Sequence, residues 1–132
     1  MVTKRSVLVV DEMPETREVL RTVLQRRGVE IIEATEGDQG LRLAQQHRPD
    51  LIVLDLQVES ACPQSTFDGF EHQSQTHHTP LVVLGNARRD RALLPGGEFV
   101  SKPYQYGTLI RKIEELLDQR VDSDVAVRHP RR

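Results

Sequence analysis

Asp11, Glu12, Asp55 and Lys102 stand where apolar runs end, and their charges are complementary. Asp11 and Glu12 follow Val7 to Val10, Asp55 follows Leu51 to Leu54, and Lys102 follows the short run Glu98 to Ser101. A further run, Leu81 to Leu84, gives way to Gly85 and Asn86. If these runs are parallel strands of one sheet, three carboxylates and one ammonium converge at its carboxyl edge. Clustered carboxylates repel one another at neutral pH. A divalent cation relieves that repulsion, and oxygen donors suit Mg²⁺, which binds through a few carboxylates and keeps several waters. The lysine can pair with Asp55 and then with a phosphoryl oxygen.

The pattern around these residues predicts the elements that position them. Ser6 to Val10, Leu51 to Leu54 and Leu81 to Leu84 are continuous apolar runs, as in strands buried on both faces. Val29 to Thr35 and Glu98 to Ser101 read as two further strands. Pro14 suits a first helical turn, and Val19, Leu20, Val23 and Leu24 share one helix face. Gly28 is placed to end that helix. Asp38 to His47 reads as a second helix closed by Pro49, and Tyr104 to Leu117 as a last one. The stretches between are weaker: Phe70 to His78 is polar and reads as a stunted third helix. Pro95-Gly96-Gly97 cuts short any helix between Ala87 and Gly97. Strands alternating with helices imply an α/β fold with right-handed parallel crossovers, whose site lies beyond the strands' carboxyl ends.

Composition bounds the rest. The chain has 132 residues, enough for one core and too few for two ordinary domains. Its 18 Lys and Arg against 20 Asp and Glu give a net charge of −2, with no global pull toward nucleic acid or an anionic membrane. One cysteine, Cys62, excludes an intrachain disulfide. The apolar runs are far too short to span a bilayer, and nothing resembles a cleavable signal, so a cytoplasmic location is expected. Residues 5–117 read as the domain and 118–132 as a mobile tail without sustained period.

With these residues in place, the chain resembles a known family. VLVVDE (Val7 to Glu12), LIVLDL (Leu51 to Leu56) and VSKPY (Val100 to Tyr104) are similar to the receiver domain of two-component response regulators, over residues 5 to about 117. The resemblance implies a flavodoxin-like, doubly wound five-stranded parallel sheet of order 2-1-3-4-5. It implies that Asp55 takes a phosphoryl group from a sensor histidine kinase or phosphotransfer protein. Asp11 and Glu12 would hold Mg²⁺ directly or through water, with Asp55 and the main-chain carbonyl of Gln57 as further ligands, and Lys102 would bind a phosphoryl oxygen. A cis bond before Pro103 is also implied. Output would pass to an unidentified downstream protein, because some fifteen residues beyond the core are too few for an output domain. Such a module signals rather than turns over substrate, touches neither nucleic acid nor membrane, and is expected as a monomer or weak dimer.

The chain departs from the family at strand four, which usually ends in Thr or Ser. Spacing from Pro80 puts Gly85 there; a one-residue bulge would put Asn86 there instead. Neither carries a hydroxyl, so weak coupling between phosphorylation and shape is expected. Phe99 stands where the family has an aromatic on strand five. An insertion around Glu59 to Thr66 precedes Asp68-Gly69. The rival reading is a receiver-like interaction module with weak or no phosphorylation. Other readings fare worse. An aspartate-nucleophile phosphohydrolase wants a second acid where Gln57 stands, and no Gly-rich phosphate loop is present. His72, His77 and His78 fall in a polar segment and read as solvated, Cys62 as an idle thiol, and Arg88, Arg89 and Arg91 as solvated surface.

Overall fold

The computed structural model describes residues 4–86, 90 and 98–128, with side chains of the last helix through residue 119. Five strands, β1 (Ser6–Val10), β2 (Glu30–Ala34), β3 (Leu51–Asp55), β4 (Leu81–Gly85) and β5 (Glu98–Ser101), form one parallel sheet in the order β2-β1-β3-β4-β5. The helices are α1 (Pro14–Arg26), α2 (Gly37–His47), α3 (Pro63–His77) and α4 (Tyr106–Arg128). This is the flavodoxin-like architecture and strand order expected from the sequence.

The central strands are apolar throughout because both faces are covered. Val7 and Val9 point into one core with Leu20 and Leu24 of α1 and Leu109, Ile113 and Leu117 of α4. Leu8 and Val10 alternate into the other, with Ala44 of α2 and Phe70 of α3. That alternation is the two-residue period of a pleated strand. Gly28, at φ +80°, takes the left-handed conformation just past α1, as its placement suggested.

Three expectations are corrected. The third helix is not stunted: α3 runs for fifteen residues. Its few apolar residues are well placed, since Thr66 and Phe70 are buried one turn apart and Phe67 packs beside them. Asp68-Gly69 is therefore helical. Gly69 lies inside α3, where a β-carbon would come within 2.5 Å of Leu41 of α2. The stretch read as an insertion divides into a loop and the first turn of α3, with Thr66 N–H donating to the Cys62 carbonyl at 2.9 Å. Finally, the last helix starts at Tyr106 and continues past Leu117 to Arg128. No Gly or Pro occurs between Asp118 and His129 to stop it, whereas Pro130 lies just beyond. The expected shortening between Ala87 and Gly97 lies outside the described residues, Asp90 excepted. Among the described residues, no helix is long and apolar enough to cross a membrane.

Gly40 of α2 marks where helix and sheet are closest. A β-carbon there would come within 2.6 Å of the Val10 side chain, itself fully buried. Gly to Ala inside a helix ordinarily stabilises. Here overpacking should reverse the sign: Gly40→Ala is expected to lose about 1–3 kcal/mol in urea unfolding. A stabilised variant would contradict this packing.

Candidate functional site

The sheet register places the acids side by side. β1 and β3 are neighbours, with Val10 opposite Leu54, so Asp11 and Asp55 leave adjacent strand ends. Each carboxylate then folds back on its own chain. Asp11 Oδ1 accepts the Met13 N–H at 2.9 Å, and Asp55 Oδ1 accepts the Gln57 N–H at 2.9 Å. Such turns over two residues suit aspartate and fix where the remaining lone pairs face. Both residues are almost wholly buried, at 1% and 2% exposed.

Lys102 arrives from the far side of β4. Its N–H donates to the Gly85 carbonyl at 2.9 Å, and the peptide bond to Pro103 is cis, as the resemblance implied. Its Nζ donates to both Asp55 oxygens at 2.9 Å and to Gln57 Oε1 at 3.2 Å. These groups line an open cleft of about 520 Å³, walled on one side by Met13, Tyr104 and Tyr106. The two tyrosine rings meet edge to face at 6.0 Å, and burial raises the Tyr104 phenol above its ordinary value.

The electrostatics follow from two acids sharing one lysine. Burial, with Asp55 alongside, raises the Asp11 carboxyl to about 6, although the Met13 N–H and Lys102 pull the other way. Only part of the expected acidic cluster forms. Glu12 is exposed, and among the described residues no group of three or more His, Cys, Asp or Glu side chains is gathered closely enough for a metal ion. Glu12 lies past the end of β1, at the bend that the Asp11–Met13 bond closes. The two carboxylates that do meet still fit Mg²⁺, which is commonly held by one or two carboxylates with water completing the shell.

Strand four ends at Gly85 in regular register, opposite Ser101, with no bulge. Asn86 lies past the strand and is exposed. Phe99 does stand against Gly85, as strand position suggested. Three contributors were missed from sequence. The Gln57 side chain supports Lys102. Asp38 of α2 pins the loop after Asp55, accepting the Ala61 N–H and the Thr66 hydroxyl, each at 2.9 Å; the first of these bonds holds its carboxyl below the ordinary value. Asp90 lies over Gly85 and accepts the Asn86 N–H at 2.8 Å. Only the last had a local signal, the four-residue spacing of a capped turn.

Comparison with known proteins was made against this geometry. A family model, the response regulator receiver domain, matches residues 7–114. The response regulator GtcR of Aneurinibacillus migulanus is 27% identical over 121 residues, covering 86% of this chain and 48% of its own. The polar-differentiation response regulator DivK of Brucella anthropi is 26% identical over 121 residues, covering 86% of this chain and 96% of its own. The chain therefore spans about half of the first relative and nearly all of the second. Among solved structures, the receiver domain of sensor histidine kinase PA1611 from Pseudomonas aeruginosa, with magnesium coordinated in its active-site cleft, superposes with a TM-score of 0.72. It is 21% identical and covers 88% of this chain and 99% of its own.

The raised Asp11 carboxyl has a thermodynamic sign. Its folded value, about 6, lies above the ordinary 3.8, so its contribution to stability is full below pH 4 and lost as pH rises through 6. Without metal, Asp11→Asn should unfold at higher denaturant than the wild type at pH 7, by on the order of 2 kcal/mol, with the gap closing toward pH 4. Equal stability at both pH values would contradict the repulsion.

Proposed function

The chain belongs to the response regulator receiver domain family, and on that premise we propose that Asp55 is its phosphoacceptor. Receiver domains are signalling modules rather than enzymes. They accept phosphoryl groups in two-component systems, bind Mg²⁺ in their active site and interact with histidine kinases and phosphotransfer proteins. The observation that carries the proposal for this chain is the Asp55 carboxylate, held by Lys102 at the edge of an open cleft.

An Asp55 oxygen attacks phosphorus while the phosphorus–nitrogen bond of a donor phosphohistidine breaks. The electron pair stays on the imidazole, and an acyl phosphate forms on Asp55. Asp55 Oδ1 is tethered to the Gln57 N–H, which fixes the carboxylate plane before the donor arrives. Lys102 exchanges a carboxylate oxygen for a phosphoryl oxygen, its charge offsetting the one that accumulates. Asp11, Asp55 and the Gln57 carbonyl would hold Mg²⁺ and Glu12 would act through water; bound there, the ion neutralises charge spread over the transferring group.

The reach of the signal is part of the same reading. Coverage of nearly all of DivK supports a single-domain regulator; action by protein contact, in the cytoplasm and as a monomer or weak dimer, belongs to the same proposal. The core is residues 5–117. One observation favours the rival reading, a module with weak or lost phosphorylation: Gly85 offers no hydroxyl to a phosphoryl group.

Incubation with beryllofluoride and Mg²⁺, followed by native mass spectrometry, separates the two. One adduct is expected on the wild type, none on Asp55→Asn, and none when EDTA replaces Mg²⁺. A wild type without adduct would leave the rival reading standing.

A further inference from the structure

The space left by the missing side chain at Gly85 is filled, and by a charge. A β-carbon at Gly85 would lie 2.9 Å from Asp90 Oδ2, with Leu56 at 3.1 Å and Phe99 at 3.3 Å closing the other sides. Asp90 is 9% exposed. It is held by a reciprocal pair of bonds: the Asn86 N–H donates to its carboxylate, and its own N–H donates to the Asn86 carbonyl, each at 2.8 Å. These reciprocal bonds tie Asp90 to the end of β4 in the manner of a cap. The carboxylate therefore sits at the end of β4, one strand from Asp55, which faces Leu84 in the ladder. Leu56, which forms one wall of its niche, is bonded directly to Asp55.

We infer that Asp90 is the switch residue of this chain, a carboxylate standing in for the absent strand-four side chain and displaced by charge when Asp55 is phosphorylated. The inference rests on the phosphoacceptor reading above. A hydroxyl at this point would be drawn toward a phosphoryl group; a carboxylate is driven away from it. Phosphorylation adds about 1.5 to 2 negative charges. The repulsion acts in a niche closed by Leu56 and Phe99, where solvent screens it poorly. Asp90 then leaves Gly85 and the Asn86 N–H loses this acceptor. Phosphorylation is thus coupled to the end of β4 through Asp90, without any hydroxyl.

Asp90→Asn keeps an oxygen to accept the Asn86 N–H and removes the charge. Both full-length proteins, labelled with ¹⁵N, are titrated with beryllofluoride in Mg²⁺. The wild type should show the Asn86 amide proton moving upfield and exchanging faster on saturation. In Asp90→Asn the half-saturating beryllofluoride concentration should fall roughly three- to tenfold, and the Asn86 amide should respond less. Equal half-saturation in the two proteins, with Asn86 unmoved in both, would show Asp90 to be a plain cap and overturn the inference while leaving Asp55 as acceptor. Saturation of neither protein would overturn both.

Discussion

Lys102 grips both oxygens of Asp55 with Asp11 buried alongside, and the rest of the molecule is arranged to make that contact possible. Two carboxylates at adjacent strand ends, nearly free of solvent, repel one another, and burial alone already disfavours their charge. A single ammonium from two strands away offsets part of that. To deliver it, β5 must pair with β4 in fixed register so that the Lys102 N–H meets the Gly85 carbonyl. The acids in turn depend on β1 and β3 being neighbours, which the crossovers through α1 and α2 enforce. A sheet slipped by one residue would turn every core side chain to the wrong face and part the acids as well.

The site is left with a charge imbalance that suits its chemistry. Lys102 cannot satisfy Asp11 and Asp55 together, so Asp11 rises toward neutrality when no cation is present. Oxygen donors under such tension favour a hard divalent ion. The same imbalance explains why Asp55 stays approachable: its tether to Gln57 and its pairing with Lys102 hold it at the edge of an open cleft rather than sealing it in the core. Gly85 extends this logic. With no side chain of its own at the end of β4, the chain brings in Asp90, so the response to added charge is repulsive where a hydroxyl would make it attractive.

How much of this the sequence disclosed depends on how strong each local signal was. Val7 to Val10, Leu51 to Leu54 and Leu81 to Leu84 are uninterrupted apolar runs, which only a sheet covered on both faces buries well, and β1, β3 and β4 were legible from them. Asp11 and Asp55 were legible because they stand at the ends of two of those strands, and Lys102 because it follows the short run that forms β5. α3 was misjudged because a helix rich in Gln, His and Ser carries little periodic signal; two buried residues, Thr66 and Phe70, and the close approach at Gly69 fasten it, and these are tertiary facts. The length of α4 was missed for the opposite reason, since its apolar period fades while nothing breaks the helix. Glu12 is exposed because an acidic pair in sequence need not place both acids in one cleft, which leaves it a role through water. Asp90 carried only the weak signal of its four-residue spacing from Asn86, its role being set by the empty space at Gly85.

The central claim, that Asp11 and Asp55 are buried acids competing for Lys102, is tested most directly by ¹³C NMR titration of the Asp11 carboxyl carbon in the metal-free full chain. The account predicts a midpoint near 6, moving higher in Lys102→Met because the only nearby cation drawing it down among its identified influences is gone. A midpoint near the ordinary 3.8, unchanged when Lys102 is replaced, would contradict it.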